Sequence, residues 1–426
     1  MVEKKLLEKK EIKVDQSIKF LKNNNYNIAF LDVRERKKYV QGFAFGSINC
    51  PKSNFKNLVL DLVPDKKTII LLIGLKNKKE RVYILNHLFN LGYKFYFTIS
   101  KDYKAWLKKK LPFWSGEYTF SKAFGEWTEI TSSINNIYPK DLARIHKKGG
   151  NYLQIDTRPK SEFKRFSIPN SKQCSGGELP VFINNKSNLK KNYILHCAGR
   201  TRGIIAYQTL NDFNFKNKKF VLNGGTQNWV LKGYLRKFNN KSSINSTKVD
   251  FKKDLKLARR IASKFSLPKS KKKIFKNNSY NFQISSEIKK FSKIKGWKNV
   301  NATTLIQNTD KYIASTNTKI YVYSDIPTSS IFAVIWLRRM GYNALWQEKK
   351  PNKIKRNFQK TKTDPTYFFP FRHKGSKMHS KGYLNWEHSL IPQIQKWKCN
   401  NPWVSSKKND LSQVEHTVYK VYKNIN

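Results

Sequence analysis

The stretch HCAGRTRGII (residues 196–205) decides the reading of this chain. A β-like run, Tyr193-Ile194-Leu195, leads into it, and an apolar helix-like run, Gly203-Ile204-Ile205-Ala206, leads out. Between them a single turn holds one of the chain's four cysteines, a glycine and two arginines. Such a strand–loop–helix junction gathers unpaired backbone N–H groups, which carry partial positive charge and can converge on an anion. Gly199 is expected to let the loop curl. Cys197, at the loop's first position, turns its sulfur toward that nest, where a thiolate is favoured. Arg200 and Arg202 add charge and suit an incoming oxyanion. The pattern fits a nucleophilic thiolate acting on an anionic substrate.

The competing reading is a cysteine that only packs, because free cysteine is among the most buried residue types. Two arginines beside it argue against that, since they would be costly in an apolar core unless the loop opens to solvent or anions.

Outward from the turn, the chain repeats. IAFLDVRERKKYVQGFAFGSINCP (28–51) carries Asp32 and Arg34, and about 124 residues later NYLQIDTRPKSEFKRFSIPNSKQC (151–174) carries Asp156 and Arg158. A second strand pattern follows in each copy, ending at Gly74 or at Cys197, and then a helix-like segment. Trp106 and Trp229 close the two copies and read as core. In a worn third copy, YNFQISSEIKKF (280–291) replaces the Asp-x-Arg run and KIYVYSD (319–325) ends at Asp325. Short apolar strands alternating with amphipathic helices predict an α/β chain of modules, each a mainly parallel sheet flanked by helices. The expected units are 10–120, 130–240 and 250–350, with a tail over 351–426 that includes a docking helix around KGYLNWEHSLIPQIQKW, where Pro392 could kink it. Linkers are expected near WSGEYTFSKAFGEWTEITSS (114–133) and KFNNKSSINSTK (237–248).

Length fits about three domains. The net charge is +57, from 85 Lys plus Arg against 28 Asp plus Glu. Lysine, asparagine and isoleucine are enriched in every segment, which reads as background composition and not as a nucleic-acid patch. Cys50, Cys174, Cys197 and Cys399 lack zinc-finger or disulfide-framework spacing. No segment resembles a secretion signal or reaches the roughly 18 apolar residues of a spanning helix, so a cytoplasmic location is expected.

Asp156-x-Arg158, Glu162-Phe163, Ile168-Pro169, Cys197-Ala-Gly-Arg-Thr-Arg202 and LNGGTQNW (222–229) together resemble a rhodanese domain. The multi-domain rhodanese-related sulfurtransferases of bacteria are the most similar group. A SKAFGE segment like residues 121–126 joins modules there, and YLNWEHSL (383–390) is similar to their C-terminal region. The resemblance covers about residues 20–350 and is specific in the second repeat.

The resemblance implies that Cys197 takes sulfane sulfur from thiosulfate or a related small anionic donor and becomes a persulfide. It implies that Ala198, Gly199, Thr201 and Gly203 offer backbone amides to that sulfur, while Arg200 and Arg202 hold the donor or leaving sulfite. Cyanide, a thiol or a protein acceptor would then remove the outer sulfur, with no metal or organic cofactor. Asp156, Arg158 and Glu162 would be structural. Gly74 and Asp325 stand at the cysteine position of the other repeats, which implies that those modules are inactive and structural, or bind a partner.

Rhodanese-fold phosphatases and arsenate reductases offer a second reading of the same turn. Their loop holds five residues between cysteine and arginine, whereas here four intervene before Arg202 and Gly203 fills the longer-loop position. A non-catalytic scaffold would also keep these modules, and sulfur delivery to tRNA would draw on the basic charge. His196 could tune the thiol or simply pack, and Cys174 could resolve the persulfide only within about 7 Å of Cys197 in Cα separation.

Overall fold

A computed structural model describes residues 10–395, apart from 24, 185–190, 245–248, 272–274, 276, 289–290, 356–357 and 359–375. The chain is α/β, with three mainly parallel sheets flanked by helices. The first sheet has the order β1–β6–β5–β2–β4, from β1 (Glu11–Ile12), β2 (Ile28–Asp32), β4 (Ile48–Asn49), β5 (Ile69–Ile73) and β6 (Tyr96–Ile99). A two-stranded antiparallel ribbon, β3 (Phe43–Ala44) with β7 (Phe113–Trp114), sits beside it.

The second sheet contains β8 (Asn136–Ile137), β9 (Tyr152–Asp156), β10 (Lys172–Gln173), β11 (Asn192–His196) and β12 (Lys219–Leu222). Its order, β8–β12–β11–β9–β10, reproduces the first. The third keeps the pattern without the outer edge: β16 (Ala344–Trp346), β15 (Ile320–Ser324), β13 (Tyr280–Ser285) and β14 (Lys298–Asn301). The central strands are apolar on both faces, as a parallel sheet covered by helices requires; in β5 the run IILLI is almost wholly buried.

Register makes the repeats equivalent residue by residue. Asp32 pairs with Ile73, Asp156 with His196, and Ile284 with Ser324. Gly74, Cys197 and Asp325 are therefore the residues that follow the same strand end in each sheet.

Helices α1 (Lys78–Asn90), α3 (Thr201–Asp212) and α5 (Pro327–Arg339) follow those three positions. α3 and α5 are buried along nearly their whole length, because one hydrophobic core runs between the second and third sheets. Ile204, Ala206, Phe332 and Trp336 belong to it, and the Trp336 indole donates to Thr209 Oγ1 across the two helices at 2.9 Å. Trp106 and Trp229 are core residues of their own units.

The expected linker at 114–133 is corrected. It forms α2 (Thr119–Thr131), a mostly buried helix packed across α3. Phe120, Phe124 and Trp127 recur at helical spacing and join the central core, which outweighs the local Ser and Gly content. Residues of the second expected linker bridge the second unit, where Lys237 pairs with Ser167 and Ser243 with Gln173. Two further helices reach the loop after β11: α4 (Gly225–Leu231) and α6 (Lys377–Gln395). α6 packs on α2 and α4 and runs on through Pro392. The rest of the expected tail, including Cys399 and most of 351–375, lies outside the described residues. Among the described residues no helix is long and apolar enough to cross a membrane.

Candidate active site

β11 ends at His196, and residues 197–200 turn directly into α3. Side chains alternate across a strand, so His196 and Cys197 face opposite sides. His196 is fully buried beside Ser171, whose Oγ lies 2.8 Å from its Nε2. Burial pulls its pKa below the ordinary value, against the pull of the Asp156 carboxylate. His196 is thus a packed, hydrogen-bonded neighbour behind the sheet end.

Cys197 is 1 % exposed. Its carbonyl accepts from the Thr226 amide at 3.0 Å and the Thr226 hydroxyl at 3.1 Å, and the Ala198 carbonyl accepts from the Gln227 amide at 2.9 Å. The loop's carbonyls are thereby held outward by the start of α4. Its amides behave differently. Among the described residues, the N–H groups of Ala198, Gly199, Arg200, Thr201, Arg202 and Gly203 have no acceptor. That is the expected state of a helix start, and it leaves donors for an anionic sulfur.

Gly199 is needed for a reason other than loop curl. Its φ is not in the left-handed region, but a β-carbon there would lie 2.6 Å from Glu387 Oε2 and 2.7 Å from Tyr383 Cε1. α6 packs directly on the loop, and only glycine leaves room.

Both arginines have carboxylate partners within the protein. Arg200 donates from Nε to Glu126 at 2.8 and 3.0 Å, and its Nη2 meets Glu129. Arg202 meets Glu162 through two parallel contacts, 2.7 Å from Nη1 and 2.9 Å from Nη2. Burial works against the Arg202 charge, but the Glu162 carboxylate outweighs it and the pKa is raised. Burial, with Arg200 opposing and Glu387 assisting, pushes Glu126 up to about 7.

Asp156 and Arg158 form a fully buried pair at 2.7 Å, and Arg158 Nη2 also donates to the Phe166 carbonyl at 2.6 Å. The first repeat copies this: Arg34 pairs with Asp32 at 2.6 Å and donates to the Gly42 carbonyl at 2.6 Å. Each arginine ties a strand end to the backbone eight residues on. Burial alone would raise the Asp156 pKa, yet Arg158 and then His196 hold it below the ordinary value.

Cys174 follows β10, which is separated from β11 by β9. Two strand spacings put Cys174 roughly 10 Å from Cys197, beyond disulfide reach without backbone movement. Burial raises its thiol pKa well above the ordinary value, and Cys50 is buried in the first unit's core.

Lys122, Glu126, Glu129, Tyr383 and Glu387 were not among the expected site residues. Glu126 lies in SKAFGE and Tyr383 and Glu387 in YLNWEHSL, so the segments were visible but not their meeting point. Among the described residues no His, Cys, Asp and Glu cluster could hold a metal ion.

Among curated proteins none matches the chain. Among solved structures, a thiosulfate sulfurtransferase from Pseudomonas aeruginosa has a TM-score of 0.72 at 18 % identity, covering 82 % of this chain and 70 % of that one, which shows the fold. A Rhodopseudomonas palustris protein of unknown function, titled a possible tyrosine phosphatase, is 26 % identical over 26 % of this chain and 89 % of its own, with a TM-score of 0.24. A rhodanese-related protein from Thermoplasma volcanium is 25 % identical over 24 % of this chain and 97 % of its own, with a TM-score of 0.20. The rhodanese-like domain model matches residues 139–232. With Cys197 between β11 and α3 inside that stretch, the chain carries a rhodanese-like domain over residues 139–232.

Proposed function

We propose that this protein is a rhodanese-type sulfurtransferase that works through a persulfide on Cys197. The observation that carries the reading is the junction of β11 and α3: a cysteine at the strand end, followed by six amides without an acceptor among the described residues. Cys197, as thiolate, attacks the sulfane sulfur of thiosulfate or a related donor. The donor's S–S bond breaks, its electron pair leaves on sulfite, and the transferred sulfur stays on Cys197 as a persulfide anion. The amides of residues 198–203 receive that charge, at no reorganisation cost because α4 already holds the loop carbonyls away. Cyanide or a thiolate then attacks the outer sulfur and the Cys197 thiolate returns.

Arg202 and Arg200 serve here as braces, fixing the first turn of α3 through Glu162, Glu126 and Glu129. One site per chain is proposed, because Gly74 and Asp325 offer no thiol at the equivalent strand ends. The units around them are proposed as structural or partner-binding, with boundaries near 10–120, 130–240 and 250–350. The test is steady-state thiocyanate formation from thiosulfate and cyanide. Parallel double-reciprocal lines, lost in Cys197→Ser, support the reading; the absence of thiocyanate from every sulfane donor tried leaves the scaffold reading.

A further inference from the structure

The third unit sets a loop onto the unit that carries Cys197. Its β13 keeps the register of the other units, so Ile284 and Ser286 stand where Asp156 and Arg158 stand in the second. In place of that ion pair, residues 286–288 reach across, and each unit presents a carboxylate to the other. Glu178 of the second unit accepts from the Ser286 hydroxyl and the Glu287 amide, each at 2.6 Å. Glu287 in return accepts from the Lys160 amide at 3.1 Å, Gln173 Nε2 at 2.9 Å and the Ser175 hydroxyl at 3.2 Å. The Lys160 ammonium donates to the Glu287 carbonyl at 2.9 Å. Hydrogen bonds to an ionised acceptor are among the stronger ones, so Glu287 fixes these donors in place.

Lys160 opens the short helix Lys160–Arg165, and Glu162 on that helix holds Arg202 in the first turn of α3. Burial opposes the Arg202 charge, while Glu162 and then the Cys197 thiolate favour it, so Arg202 lies within electrostatic reach of the sulfur. A route of contacts thus runs from Glu287 through Lys160, Glu162 and Arg202 to the turn after β11. The third unit's own turn is closed from within. Ile326 N–H donates to Ser324 Oγ, Pro327 has no N–H, and Ser329 N–H donates to the Ile326 carbonyl. Thr328 gives its amide and its hydroxyl to the buried Asp254, at 3.0 and 2.6 Å. We propose that Glu287 is a positioning residue for sulfur transfer: through it the third unit holds the helix whose Glu162 sets Arg202 against the Cys197 turn. This rests on the persulfide chemistry proposed for Cys197 and gives the third unit a part in it.

The test is single-turnover loading of sulfur on Cys197 from thiosulfate in the full chain, followed by mass spectrometry over a range of donor concentrations. Glu287→Ala removes the acceptor. Lys160→Pro removes both Lys160 donors with little strain, because Pro159 already has the ψ of 152° that a residue before proline needs, and proline suits a first helical position. Either folded variant is expected to lower the maximal loading rate at least fivefold, with the half-saturating thiosulfate concentration within twofold of wild type. In a Glu162→Ala background, adding Glu287→Ala should change the rate by less than twofold, because residues acting along one route are not additive. A wild-type rate in either folded variant overturns the proposal, and so does a loss carried wholly by the half-saturating concentration. A fivefold loss that persists in the Glu162→Ala background overturns the route through Arg202. Wild-type protein that takes sulfur from neither thiosulfate nor cysteamine persulfide is a different result, because it removes the sulfurtransferase reading itself.

Discussion

Arg202 and Glu162 meet face to face across forty residues of sequence, Nη1 on Oε1 at 2.7 Å and Nη2 on Oε2 at 2.9 Å. The pair fastens the first turn of α3 to the short helix Lys160–Arg165. The arginine side chain is 2 % exposed and the glutamate 28 %. Removing the two partners should therefore not cost the same. Glu162→Ala leaves a buried charge unpaired and is expected to destabilise by about 3 kcal/mol. Arg202→Met leaves a carboxylate that still reaches water and should cost less. Urea midpoints of the two variants check the order.

The Asp156–Arg158 pair admits no solvent on either side, with both side chains fully buried. Asp156→Asn keeps the shape and strands the arginine charge, so a loss of about 3–5 kcal/mol is expected. Arg158 holds the Asp156 pKa below its ordinary value despite burial. The stability it contributes is present above the unfolded aspartate pKa and is lost as pH falls through the folded one. Asp156→Asn should therefore flatten the acid limb of the unfolding profile, measured by circular dichroism from pH 5 downward.

Gly74 occupies the position of Cys197 in the first unit, but it could not simply be exchanged for a cysteine. Its φ is +95°, and a β-carbon would lie 2.7 Å from Asp32 Oδ1 and 2.7 Å from Arg34 Cγ. Gly74→Cys is expected to destabilise by about 1–3 kcal/mol and to add no second cyanide-labile sulfur. Thermal unfolding and cold cyanolysis of the donor-treated protein read both.

Glu126 should leave a signature of the opposite sign to Asp156. Burial pushes its pKa up to about 7. A carboxyl raised in the folded state binds its proton more tightly there, so its contribution to stability falls as pH rises from the unfolded glutamate value toward 7. Glu126→Gln mimics the protonated form and removes that dependence. The variant should lose less stability than wild type between pH 5 and pH 8, as compared by urea midpoints at the two values.

The strand that ends at Cys197, the turn after it and the helix beyond were legible because each is local: an apolar run, a glycine and two arginines, then another apolar run. The shared register of Asp32 and Asp156 was legible because the repeat keeps its spacing, whereas the equivalence of Ile284 came from the strand pairing. What covers the turn was not. Glu126 is 74 residues from Arg200, and Glu387 is 188 from Gly199, and nothing periodic links them. α2 was hidden by Ser and Gly residues that suggest a loop, although the spacing of Phe120, Phe124 and Trp127 carried the helix signal. Gly199 was singled out for conformational freedom, whereas the close approach of α6 is what requires it. A one-dimensional pattern cannot announce a contact that the third dimension supplies.

The central claim is that Cys197 carries transferable sulfur. Intact-mass spectrometry of the reduced full chain, after incubation with thiosulfate and in parallel with cysteamine persulfide, tests it most directly. The expected result is a gain of one sulfur atom from at least one donor, removed by cyanide and absent in Cys197→Ser. An unchanged mass of the folded wild-type protein with both donors, or a gain that survives in Cys197→Ser, would contradict it.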